Sequence, residues 1–180
     1  MRKTVARLLR FLIVSILWFY PVMVRAQVTV HYGKPCDPTL WKHVYHPERL
    51  IVKSPCVTVT GTIVDATAPQ KHHRKDGVRK EEDGDTHGWL QLDGGQEVYL
   101  NDGNLKAEGG NLVYEIVCYF KVKQEDAKAA CKNFQNTVIL PPVGSCVALT
   151  GTWVQDTNHE QWLEIHPVSS FKVISCKVPR

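Results

Sequence analysis

Beyond its first 26 residues the chain has no apolar run approaching the roughly 20 residues that span a bilayer. It contains no Cys-x-x-Cys pair, no Gly-x-Ser-x-Gly turn and no glycine-rich phosphate loop leading into a helix. These absences leave no candidate for a later membrane anchor, a thiolate zinc finger, an α/β-hydrolase nucleophile or a P-loop. Arginine is scarce as well. After residue 26 it stands only at positions 49, 74, 79 and 180.

What is present begins with "MRKTVARLLRFLIVSILWFYPVMVRA", a basic start followed by the uncharged run from Phe11 to Val24 and a close on Val24-Arg25-Ala26. That arrangement reads as a secretory signal over 1–26, cleaved after Ala26 and without a cysteine for lipid attachment. The signal also carries the chain's basicity. The formal net charge is +4, yet five of the 22 Lys and Arg and none of the 18 Asp and Glu fall in this stretch. The exported part has 17 cations against 18 acids, so net charge gives no argument for nucleic-acid binding. All six cysteines lie in it, at 36, 56, 118, 131, 146 and 176. An even number in an oxidising compartment implies up to three disulfides. Of the 15 possible pairings, the sequential set Cys36–Cys56, Cys118–Cys131 and Cys146–Cys176 is the expectation.

The remaining 154 residues suit one domain, and a repeat inside them indicates its form. "CVTVTGTIV" from Cys56 returns as "CVALTGTWV" from Cys146, and each copy runs toward a Trp-Leu pair, at Trp89-Leu90 and Trp162-Leu163. Apolar and hydroxylated residues alternate in both, the period of a half-buried strand. A glycine at the centre of each, Gly61 and Gly151, marks a bend or bulge of the kind that small barrels use. Between the copies, "GGNLVYEIVCYFKV" (109–122) reads as a third strand. "QEDAKAACKNFQ" (124–135) reads as a helix, with Ala127, Ala130, Cys131 and Phe134 on one stripe. The order strand, strand, strand, helix, strand, strand predicts a mainly β fold: a five-stranded OB-like Greek-key barrel with one helix between strands 3 and 4. Residues 27–55 are then an N-terminal extension packed on a barrel of 56–180, with a charged loop at about 66–86.

The phrases "HPERL", "CVTVTGTIV", "EDGDTHGWLQLD", "NLVYEIVC" and "TGTWVQDTNHEQWLEIHPV" resemble a group of exported bacterial OB-fold proteins. The resemblance covers 46–175, most of the exported part, and implies the fold and export. It brings no activity and no catalytic residues.

OB barrels bind ligands on the face of strands 2 and 3 and through the loops joining strands 1–2 and 4–5. Here that rule selects Lys71, Arg74, Lys75, Arg79 and Lys80 in the charged loop "KHHRKDGVRKEEDGD" (71–85), together with Trp89, Gln91 and Trp162. The loop is either a clamp for anionic groups or a solvated excursion. The tryptophans, outward-facing in this register as Glu164 and His166 also are, serve either as stacking platforms or as packing for the 37–50 segment. His87, His159, Glu164 and His166 form a candidate zinc set, its alternative being no cofactor at all. The leading expectation is therefore a non-catalytic exported binding module for an anionic nucleic acid-like oligomer, a glycan or a protein. A metal-assisted phosphodiesterase or nuclease using Arg74, Arg79, Asp83 and Asp85 is the enzymatic alternative. A structural or envelope-stress protein offering its sheet edges to a partner is the third.

Overall fold

The computed structural model describes residues 36–69 and 74–176, so the expected signal segment 1–26 and Lys71 lie outside the described residues. Six strands follow in chain order: β1 (Leu50–Val64), β2 (Arg79–Lys80), β3 (Thr86–Leu92), β4 (Leu112–Tyr114), β5 (Cys146–Asp156) and β6 (Leu163–Val173). The two halves of the sequence repeat are β1 with β3, and β5 with β6.

Closure comes from β1, which is long enough to serve two neighbours. Its length pairs antiparallel with β5, from Leu50 opposite Asp156 to Thr62 opposite Cys146. Its last residues, Gly61–Val64, also pair with Leu92–Trp89 of β3. β3 continues to β4, β4 runs parallel to β6, and β6 returns antiparallel to β5. The five strands β1, β5, β6, β4 and β3 form a closed OB-like barrel, while β2 adds outside β3 through Arg79–His87 and Lys80–Thr86. The β1–β5 ladder breaks register on either side of Ser54, beside Pro55, which has no N–H to give.

The alternation expected from the repeat fills the interior. Val59 and Ile63 of β1, Leu90 of β3, Val147 and Leu149 of β5 and Ile165 of β6 are fully buried in one cluster. The hydroxyl side faces the other way, where Thr58 and Thr150 hydrogen-bond at 2.7 Å across the β1–β5 pair. The two glycines permit close backbone approach. A Cβ on Gly61 would lie 2.3 Å from the Gln91 carbonyl oxygen, and one on Gly151 2.4 Å from Ile165 Cγ2. The β5–β6 register also shifts on both sides of Gly151, the bulge that lets the strand turn.

Outside the barrel lies a second apolar cluster. Leu40, on a 3-10 turn at Pro38–His43, and Val44, which caps that turn, pack with Leu50, Val117, Cys118 and Val154, and with half-buried Trp41, Cys131 and Phe134. The extension thus buries its apolar side chains against the barrel wall, and the His43 ring stacks on Phe134 at 3.7 Å. Three disulfides staple the assembly: Cys36–Cys56, Cys118–Cys131 and Cys146–Cys176. Crosslinks of this density belong to an oxidising compartment. Among the described residues no helix is long and apolar enough to cross a membrane.

Three local expectations are corrected. The 124–135 helix is a 3-10 turn over Asp126–Ala129 without a side-chain cap. Cys131 is instead bonded to Cys118, and Asn133 takes a left-handed φ of 58°, so the short, uncapped turn cannot propagate. The described α-helix, α1, is Asp102–Ala107, nucleated by a reciprocal capping box between Asn101 and Asn104. The third strand contracts to β4, Leu112–Tyr114, and Cys118 beyond it takes a left-handed φ of 52°.

Candidate functional site

A cavity of about 510 Å³ opens on the barrel. The N-terminal extension supplies Tyr45, His46 and Arg49 to it, the β2–β3 hairpin Arg79, Glu81, Glu82, Asp83 and His87, and β5–β6 Asn158, His159 and Trp162. Glu115, just past β4, forms the floor, and Gln124 closes the side.

Beneath the cavity runs a buried network of charges. His87 places Nε2 at 2.8 Å from Glu108 Oε2 and Nδ1 at 3.5 Å from Glu115 Oε1. Glu108 also accepts from Arg79 at 2.8 Å and from the Trp89 indole N–H. On the far side of Glu115, Oε2 meets His166 Nδ1 at 2.9 Å, and the same nitrogen lies 3.1 Å from Glu164 Oε1. Trp162 donates its indole N–H to Glu164 Oε2 at 2.7 Å. Arg49 pairs with Asp156 and stands 3.9 Å from Glu115.

Burial and partners set the protonation of these groups in opposite directions. Burial alone would lower the His87 imidazole, but the hydrogen bonds to Glu108 and Glu115 outweigh it and lift the group to about 9. Burial would likewise raise Glu115, yet the neighbouring His166 and His87 hold it well below the usual carboxylate range. Asp85 has less compensation, and burial pushes it up to about 7.

The residues expected to bind ligand are therefore distributed differently. Arg74 is engaged by Asp76 and lies over the Phe120 ring, which Lys80 also covers at 4.4 Å. Lys75 and Gln91 are exposed and line no part of the cavity. Trp89 is not a free platform, because Arg79 covers its ring at 5.3 Å. Trp162 is 8% exposed, with His159 stacked on it at 5.2 Å. The outward-facing register of Trp162, Glu164 and His166 is corrected in the same way. All three are buried, because the outer side of β6 is covered by further chain. Asn104 of α1 donates to the Leu163 carbonyl at 2.8 Å, and Asp37 donates its N–H to Ser169 at 3.0 Å.

The expected zinc set does not assemble as four ligands. His166 and Glu164 touch, His87 is separated from them by Glu115, and His159 sits on the rim bonded to Asp156 at 2.8 Å. The nuclease quartet is dispersed as well, with Arg74 tied to Asp76 and Asp85 buried below the cavity.

The centre of the site is made by residues the sequence reading passed over: Arg49, Glu108, Glu115 and Asp156. A signal for Glu115 existed, since it is a lone acid inside the apolar run "NLVYEIV". Acids in such runs are buried with partners. No family model, curated protein or solved structure matches this chain.

Proposed function

We propose that the protein is an exported binding module whose cavity receives a neutral, hydroxyl-rich ligand, a unit of a glycan. The observation that carries this reading is the distribution of committed and uncommitted polar groups. Both guanidinium groups at the cavity are already paired, Arg49 with Asp156 and Arg79 with Glu108. Among the described residues the Glu81 and Glu82 side chains make no hydrogen bond or ion pair, and they line the cavity beside Gln124 and Asn158. Carboxylates and amides accept from and donate to sugar hydroxyls, whereas a phosphate-rich oligomer would meet uncompensated acids. Tyr45 and the His159–Trp162 stack supply apolar walls, as pyranose rings require. The volume suits one or two sugar units rather than a polymer. Export rests on the 1–26 signal and fits the three disulfides.

Titration calorimetry with neutral oligosaccharides, set against single-stranded DNA and polyphosphate, tests this. Saturable oligosaccharide binding is expected, weakened about tenfold or more by Glu82→Gln, since a hydrogen bond to a charged group contributes about 1.5–3 kcal/mol. Binding of the polyanions with none of the sugars overturns it.

A further inference from the structure

Behind the cavity floor lies a second constellation with different properties. Asp85, Glu115 and His166 each present a ligand atom, and all three atoms fall within 4.8 Å of one another. Two of these residues carry unpartnered polar atoms: Asp85 Oδ2 and His166 Nε2 have no hydrogen bond, although Asp85 is 2% and His166 0% exposed. They face each other at 3.6 Å. That gap is long for a hydrogen bond and too short to admit a bridging water. It is near the roughly 3.3 Å edge of a tetrahedron whose metal bonds are about 2.0–2.1 Å.

The geometry points to a buried site for a divalent transition-metal ion of the zinc class, held by Asp85 Oδ2, His166 Nε2 and a Glu115 carboxylate oxygen. The surroundings are those of a metal-bound imidazole. His166 Nδ1 is held by Glu164 at 3.1 Å, and Glu164 is itself fixed by the Trp162 indole N–H. A carboxylate on one ring nitrogen selects the tautomer that leaves the other free to ligate. Asp85 is oriented too, its second oxygen accepting the Cys118 N–H at 2.7 Å.

One imidazole with two carboxylates suits zinc or manganese better than magnesium or calcium. Cys118 and Cys131, which also approach Asp85, are joined to each other and supply no thiolate. Glu115, shared with the cavity, marks the side from which the ion loads.

The test uses the oxidised mature protein purified without chelator, by elemental analysis and native mass spectrometry. Protein stripped by chelator is then titrated with zinc chloride and manganese chloride while its melting is followed. One equivalent of metal per chain is expected, with a melting point roughly 5 °C or more higher when loaded. Asp85→Asn should bind at least 100-fold more weakly. Glu164→Gln, which leaves every ligand in place, should lose about 10- to 100-fold, and the cavity variant Glu81→Gln should bind as wild type. Protein that neither holds metal as purified nor responds to either salt overturns the site and leaves a proton shared by Asp85 and His166. Metal bound equally well by Asp85→Asn overturns it also, placing the ion on surface histidines.

Discussion

Glu115 is the residue on which the two ends of the charged network meet, with His87 on one oxygen and His166 on the other. Its ionised form is held by partners, so it adds stability at neutral pH. Glu81 is the opposite case. Burial raises its carboxyl above the usual range, with Glu115 and Asp83 adding to the effect and His87 opposing it, and among the described residues no cation pairs with it. A carboxylate whose folded value lies above its unfolded value, about 4.3, contributes stability that is fully present below the unfolded value and lost as pH rises through the folded one. Above that window its charge is a liability to the fold. Glu81→Gln removes the charge, so the variant should melt higher than wild type at pH 7, and the difference should close below about pH 4. Thermal denaturation across that range checks it. A variant that melts lower at pH 7 would show that the ionised Glu81 is stabilised by a partner.

Among the elements, β5 and β6 depend on the glycine between them. A Cβ at residue 151 would meet both Ile165 Cγ2 at 2.4 Å and the Pro167 carbonyl oxygen at 2.5 Å. The second of these is backbone and cannot swing away. Gly151→Ala should therefore cost about 1–3 kcal/mol, the range for overpacking a filled core. Gly94→Ala, where nothing lies within 4 Å, should stay within about 0.5 kcal/mol of wild type. Urea denaturation of both variants makes the comparison, and equal effects would remove the close approach as the reason for glycine. The same strands show what a sequence reveals. The period-2 alternation of Val57 to Ile63 and of its copy makes the barrel interior legible, because inward and outward positions differ in polarity. It misplaces Trp162, Glu164 and His166, because β6 is buried on both sides near its start. On such a strand polarity no longer reports which face meets water. Glu108 and Glu115 reach the site from a helix end and a strand end, and no local spacing connects them to His87 or Arg49. The cysteine order, by contrast, is legible because each bond closes a short segment, of 20, 13 and 30 residues.

Across the whole molecule the barrel interior and the outer cluster are joined through the site. Tyr45, His46 and Arg49 line the cavity only because Leu40, Val44 and Leu50 anchor their segment in the outer cluster. That cluster is in turn closed by Cys118–Cys131, whose Cys118 is 1% exposed. Cys36–Cys56 and Cys146–Cys176 each have one exposed cysteine. Thiol–disulfide exchange requires the attacking thiolate to reach a sulfur. The two peripheral bonds are therefore more open to a mild reductant in the native state, while Cys118–Cys131, buried at Cys118 and half-buried at Cys131, reacts more slowly until the outer cluster opens. Timed reduction, alkylation and peptide mass spectrometry should label Cys36, Cys56, Cys146 and Cys176 first and Cys118 and Cys131 last. Loss of the last bond should coincide with loss of oligosaccharide binding, since it frees the wall carrying Tyr45 and Gln124. Its removal by paired Cys→Ala changes should destabilise the fold by about 2–4 kcal/mol. Early labelling of Cys118, with binding retained, would instead mean that the outer cluster opens independently of the cavity and that the barrel alone shapes the site.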